Sequence, residues 1–330
     1  ASGKNAEAAA ELRKWLDFAR EIPDNAPEKL RIEMHFDRND FNSYSYSYNF
    51  ERAVQAKLGV ALVAKKEFLN ALHCFMLADS WPDAAFVAER LLDTASLKSY
   101  VDVNCSLENE VNTQPAIDWK LKLRHLLARR LFREGKLNEA SIYIPEDFAP
   151  PFHSYLQEFQ KSKDLSLSAD ERALHLFNAA KLMRLSGMEI SGTELQPDFY
   201  FTNGDFTYSV GDTLLKEDKA MAEIIKSHDP SPNQRFHYRF VAANMAMRAG
   251  NNANDRSLKA LAYFGGGSYI KITSPKQANP FYLKLQSECK DEPLAKLCAQ
   301  KHWFADNGCI AVLGEIHSSQ VMDSLDEVKK

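Results

Sequence analysis

Residues 59–92 read GVALVAKKEFLNALHCFMLADSWPDAAFVAERLL, and within them Gly59, Ala71, Phe75 and Ala78 stand twelve, four and three residues apart. This spacing predicts two antiparallel helices in close approach. Helix axes draw together only where small residues, here Gly59, Ala71 and Ala78, face larger ones such as Leu58, Leu62 and Phe75. Worn copies of the same unit follow. Residues 123–144 (LRHLLARRLFREGKLNEASIYI) carry a Leu123, Leu127, Leu131 stripe, a glycine stop at Gly135 and a new packing face from Ala140. Residues 171–190 set Ala173, Leu176, Ala180 and Met183 on one face, with Gly187 as the expected stop. Residues 235–264 repeat the pattern through Ala243, Ala246, Gly250, Leu258, Leu261 and Ala262, and a last module runs from Pro275 to Phe304. The fold class expected is therefore all-α, an array of antiparallel helix pairs.

The unit resembles the tetratricopeptide repeat and its Sel1-like relatives, which implies an α-solenoid. Such repeats fix an architecture and leave the ligand open. WPDAAFVAERLL, LRHLLARRL, GTELQPDF, RFHYRF and PFYLKL, in this order, are also similar to the C-terminal part of large helical-repeat proteins of bacterial cell envelopes, over about Arg52 to Phe304. That resemblance implies an extracytoplasmic bacterial protein and a chain that is part of something longer. It brings no catalytic residues.

Composition narrows the partners. With 45% hydrophobic and 26% charged residues, the 330-residue chain can build a full core. Its net charge of −4 lacks the positive field that nucleic acid or anionic lipid demands. No apolar run reaches the roughly 18–20 residues of a membrane span. ASGKNAEAAAEL at the start has neither an initiating Met nor the apolar core of a signal peptide, so it reads as a processed product or an excised piece, and it does not fix localisation.

Four segments are expected: 1–50, an N-terminal helix (Leu12, Trp15, Leu16 and Ala19 on one side) and an aromatic loop; 51–190, helical repeats; 191–233, an insertion; and 234–330, further repeats in one continuous solenoid. The loop, DRNDFNSYSYSYNF at 37–50, alternates Ser and Tyr, and its tyrosines either pack over the first repeat or line a surface. Pro145, Pro150 and Pro151 are expected to cut the return helix of the second repeat short. The insertion departs most from the rhythm. In GTELQPDFYFTNGDFTYSVGD, residues 192–212, two short strands flank Asn203-Gly204, which suits a type I′ turn, so a small β-hairpin is expected. Insertions in repeat arrays gather on one face, often the binding face.

The candidate binding residues follow from that break: Glu194, Asp198, Phe199, Tyr200, Phe206 and Tyr208 in the insertion, with Arg235, His237 and Arg239 just after it. The aromatics either contact a ligand or plug a neighbouring repeat. The arginines either buttress Glu194 or Asp198 by bidentate hydrogen bonds or hold a ligand's carboxylate. Lys122, Arg129, Arg133 and Lys136 read as a basic strip, suited to an acidic peptide or merely solvated.

Catalytic signals are poor. HExxH, GxSxG, GxxxxGK[ST] and CxxC are all missing, and no two of the nine histidines lie four residues apart. No metal or cofactor is expected. Gly265–Gly267 reads as a flexible inter-helix turn. The five cysteines leave at least one unpaired; Cys289 and Cys298, either side of a turn, are placed to bridge, and the alternative is that Cys74 and Cys298 are small buried residues and Cys289 a chance residue near a helix end. The function expected is a non-catalytic scaffold for a protein or peptide partner. The alternative is a carbohydrate-binding or carbohydrate-processing envelope protein, with Tyr200, Phe206 and Tyr208 stacking on sugar and Glu194, Asp198 or Asp205 supplying hydrogen bonds or acid/base chemistry.

Overall fold

The computed structural model describes residues 2–21, 50–105, 114–200, 238–271 and 275–299, and among these the chain is all-α, with no strand. It divides into two compact units, Ala1–Glu134 with Thr193–Ser231, and Gly135–Gly192 with Pro232–Lys330. The boundary drawn before residue 191 falls beside the return of the chain to the first unit.

The first unit contains α1 (Ser2–Glu21), α2 (Phe50–Ala64), α3 (Phe68–Leu77), α4 (Trp81–Phe86), α5 (Thr94–Asn104) and α6 (Gln114–Arg133). Helix α1 packs on α2, and α2 on α3. A Cβ built on Gly59 would lie 2.6 Å from the Phe75 ring, so this glycine is what lets α2 and α3 close on each other. Leu58, Leu62, Ala71, Leu72 and Phe75 fill the contact, each large side chain contributing about 1.5–3 kcal/mol when fully buried. On α1 the expected apolar side holds at Leu16, which is buried, but Trp15 is 47% exposed.

Three turns share one backbone conformation. Lys66 (φ 62), Asp79 (φ 57) and Gly135 (φ 77) are left-handed. Each is followed by a cap of similar dihedrals: Glu67 (φ −86, ψ 63), Ser80 (φ −98, ψ 75) and Lys136 (φ −82, ψ 58). Then comes a large apolar residue, Phe68, Trp81 or Leu137, and three positions later a fully buried alanine, Ala71, Ala84 or Ala140. In each case the alanine N–H donates to the cap carbonyl. At the first two turns the preceding helix closes as a Schellman motif: Lys66 N–H donates to Val63 O and Glu67 N–H to Leu62 O, as Asp79 does to Met76 and Ser80 to Phe75.

The second unit holds α7 (Leu137–Ala140), α8 (Ala149–Lys161), α9 (Ala169–Ser191), α10 (Tyr238–Asn252), α11 (Arg256–Ile270), α12 (Pro275–Glu288) and α13 (Pro293–Ala299), and from α8 onward each packs on the next. Helix α7 is a single turn. Pro150 and Pro151 do not cut it; they open α8, where a missing N–H costs nothing. Ser168 and Glu171 form a capping box on α9. Asp170 Oδ1 accepts from the N–H groups of Asn254 (2.5 Å) and Asp255 (3.0 Å), tying the start of α9 to the α10–α11 turn.

Two glycine expectations are corrected. Gly187 does not stop its helix: α9 kinks at Ser186 (φ −123, ψ 15) and runs on to Ser191. A Cβ on Gly187 would sit 2.8 Å from Cβ of Tyr238, so the glycine admits α10. Gly265–Gly267 are not a turn but three buried residues inside α11. Their Cβ positions lie 3.0 Å from Phe177 of α9, 2.4 Å from Phe281 and 2.7 Å from Tyr282 of α12, so each glycine receives an aromatic ring.

Cys289 is a free, buried thiol, which rules out the Cys289–Cys298 bridge. Cys74 and Cys105 are also free and buried, and burial pushes the Cys105 thiol up to about 12. The loop 37–49 and the end of the last module, from residue 300, lie outside the described residues.

Candidate functional site

The base of the insertion, Thr193–Tyr200, folds on itself before touching anything else. Thr193 N–H donates to Asp198 Oδ2 (3.0 Å), Asp198 N–H to Thr193 Oγ1 (3.1 Å), and Tyr200 N–H to Thr193 O (3.0 Å). The Gln196–Pro197 bond is cis, and Phe199 has φ 51. That left-handed conformation takes Phe199 out of the expected first strand. The rest of the hairpin, with Phe206 and Tyr208, lies outside the described residues, as do Arg235 and His237.

This loop is seated on a buried cluster of charges within the first unit. Glu194 is 2% exposed, and its carboxylate accepts from Arg129 and from Trp81 Nε1. Its own N–H donates to Glu89 Oε1 (3.1 Å). Glu89 in turn accepts from Arg133 Nη2 (2.6 Å) and lies 4.0 Å from Arg90 Nη1. The Arg129 guanidinium sits 4.0 Å above the Tyr200 ring, and His125 meets the same ring edge-on at 5.4 Å. Arg90 donates to Gln196 O, fixing the far side of the loop.

The helix geometry makes this possible. Val87–Leu91 is a π-helical turn at the end of α4, a local widening that leaves carbonyls poorly served. Arg130 donates to Ala88 O inside the turn and to Leu92 O just past it. Burial is the largest influence on Glu89 and works to raise its pKa, but Arg133, Arg90, Arg129 and Arg130 together hold it below the ordinary carboxylate value. Glu89 is thus an ionised partner of arginine, and Glu194 lies in a buried pair with Arg129.

The insertion residues Glu194, Asp198, Phe199 and Tyr200 are brought together, and Glu194 does have an arginine partner. It is Arg129, not Arg239. Arg239 belongs to the second unit and donates from Nε to Tyr238 Oη (3.1 Å). The basic strip is also corrected: Arg129 is 1% exposed and Arg133 is turned onto Glu89, leaving only Lys122 and Lys136 of the four exposed. Sequence reasoning missed Glu89, Arg90 and Arg130. The signal was a glutamate inside the apolar run AAFVAERLL, since a carboxylate is rarely fully buried unless paired.

Among the described residues no group of three or more His, Cys, Asp or Glu is placed to hold a metal ion, and no helix is long and apolar enough to cross a membrane. A groove of about 290 Å³ between α1 and α2 is lined by Leu12, Val60, Ala61 and Ala64, with Lys57 its one charged group, so it offers shape without reactive chemistry.

One further ionisable group stands apart. Lys271, just past the end of α11, is 4% exposed, its ammonium has no hydrogen-bond partner among the described residues, and burial pushes its pKa down to about 8. The unfolded chain holds this proton more tightly, with an ordinary lysine value near 10.4. The destabilisation is therefore complete below pH 8 and fades as the pH rises toward 10.4. Lys271→Met should raise the urea midpoint at pH 7, and this gain should shrink by pH 10. An equal gain at both pH values would mean that packing, not charge, is the cause.

Compared with models of protein families, with curated proteins and with solved structures, the chain has no match.

Proposed function

We propose that the chain is a non-catalytic helical-repeat interaction module, a degenerate relative of the tetratricopeptide and Sel1-like repeats, that presents the insertion to a protein or peptide partner. The observation carrying this reading is the recurrence of one turn at Lys66, Asp79 and Gly135, each with the same cap and the same buried alanine. A repeated turn is what a solenoid built from helix pairs requires. The insertion suits the binding role because its base, Thr193–Tyr200, is held by Glu194, Arg129 and Arg90, so this part needs no ordering when a partner arrives.

The carbohydrate-processing reading has less support. A general acid needs a carboxyl group free to exchange a proton with substrate. Glu194 is buried against Arg129, and Asp198 is occupied by Thr193.

The test is affinity capture by the immobilised chain, with bound proteins identified by cross-linking and mass spectrometry. It is repeated with residues 201–208 replaced by a Gly/Ser linker, keeping Tyr200 under Arg129. Loss of the captured partner supports recognition through the insertion, and unchanged capture removes the insertion from the binding surface.

A further inference from the structure

Two buried donors without a hydrogen-bond partner among the described residues meet at the carbonyl end of α11. One is the Lys271 ammonium and the other the Tyr282 hydroxyl of α12; both atoms are closed to solvent, in residues 4% and 6% exposed. Gly267 fixes where they lie. A Cβ built on it would stand 2.7 Å from Cζ of Tyr282 and 2.8 and 3.1 Å from the two Cε atoms, so the hydroxyl-bearing end of the ring rests on this glycine. Lys271 follows one turn later, its N–H donating to Gly267 O (3.2 Å). Residues four apart share a helix face, with Cβ positions about 5–6 Å apart, and a helical side chain leans back over the preceding turn. For Lys271 that turn is the one beneath the phenol.

The pair has donors in excess and no negative charge. An ammonium offers three protons and no lone pair. Burial raises the pKa of Tyr282, so its hydroxyl keeps its proton, and Lys271, though pushed down to about 8, is still cationic at pH 7. The carbonyl end of α11 favours a cation nearby, but it gives the ammonium no hydrogen bond. Other lysines and arginines of the protein have carboxylates: Arg129, as deeply buried, has Glu194, while Lys259 and Lys284 share Glu288. A water molecule bridging the two donors would satisfy protons and leave the charge uncompensated.

The complement is therefore an acceptor that carries charge and is small. Helix α12 is seated on the glycines of α11 through Phe281 and Tyr282, so a carboxylate or a phosphate would have to lift it, whereas a halide ion is close to water in size. We propose that Lys271 and Tyr282 bind a single monovalent anion of halide size, such as chloride, between the ammonium and the phenol O–H. The ion would join α11 to α12 within the second unit. The proposal does not rest on the partner-binding role of the insertion, so either can fail alone.

The test is urea unfolding of the full chain at pH 7, with sodium chloride replacing sodium gluconate at constant ionic strength. Chloride is expected to lower the unfolding constant of the parent chain saturably, by about tenfold when it stands at ten times its dissociation constant. Lys271→Met should lose this saturable response while keeping whatever general salt effect remains, and Lys271→Gln provides the same comparison with a polar side chain. Tyr282→Phe, which removes one donor, should weaken chloride binding several-fold. Crystals soaked in bromide should show anomalous scattering between Lys271 Nζ and Tyr282 Oη. Three outcomes overturn the proposal: the same chloride response in the parent and both Lys271 variants, an unchanged chloride affinity in Tyr282→Phe, or a bromide peak with no chloride response in solution, which would mark an adventitious ion only.

Discussion

Arg129→Met is expected to destabilise the first unit by about 3–5 kcal/mol, the usual consequence of removing one partner of a buried ion pair. Glu194 would keep Trp81 as its one side-chain donor and remain 2% exposed with an uncompensated charge. The Tyr200 ring would lose the cation above it, and the Thr193–Tyr200 loop should exchange its amide hydrogens faster. The double variant Arg129→Met, Glu194→Met should recover most of the loss, because two apolar side chains of similar length replace a pair whose attraction is spent largely on its own desolvation. Urea unfolding of both single variants and the double closes the cycle. A single-variant loss under about 1 kcal/mol, or a double variant no better than the single, would mean that the pair is solvated and does not hold the loop.

The contrast between that buried arginine and the exposed strip expected from the sequence marks where sequence reading stops. In LRHLLARRLFREG the apolar stripe at Leu123, Leu127 and Leu131 was legible, and so was the glycine just past the helix end, whose φ of 77 is the left-handed value such a stop requires. Periodicity gives the direction of a side chain only to within the width of a face. Arg129 and Arg133 lie on the other side of the helix from that stripe, and a carboxylate from another element decides whether they turn in or out: Glu194 for Arg129 and Glu89 for Arg133. Glu89, the partner of Arg133, comes from a π-helical turn, and an extra residue in a helical turn shifts every later side chain around the axis. No local pattern in VAERL announces it.

The recurring turn shows the converse limit. Gly135 was recognisable because glycine is the residue least strained at positive φ. Lys66 and Asp79 hold the same conformation without that chemistry, each at a cost of about 1 kcal/mol. The three left-handed residues, Lys, Asp and Gly, share nothing a sequence comparison would align. What they share is the residue five positions on, a buried alanine in each case. The repeat is therefore written in packing rather than in turn chemistry, and its copies look worn for that reason.

Gly266 carries the sharpest test of how α11 is seated. Three glycines in a row within a helix cost about 2–3 kcal/mol against alanine in intrinsic propensity, so a freely exposed helix would gain from replacing any of them. Gly266 is not exposed. Its Cβ position lies 2.4 Å from the Phe281 ring of α12 and 3.1 Å from Cβ of Ala246 of α10, so a side chain here meets a neighbour on each of two helices. Gly266→Val should destabilise the second unit by about 3 kcal/mol, at the upper end of overpacking penalties because an aromatic ring and a helix backbone must both move. Gly266→Ala should also destabilise, less strongly, and adding Phe281→Leu should recover part of that loss by vacating the space the methyl needs. Gly135→Ala is the control: its Cβ would meet nothing within 4 Å, so its expected loss comes from φ alone and no second substitution should repair it. If Gly266→Ala proves about 1 kcal/mol more stable than the parent chain by urea unfolding, propensity has won, and α12 is not packed on the glycine face of α11.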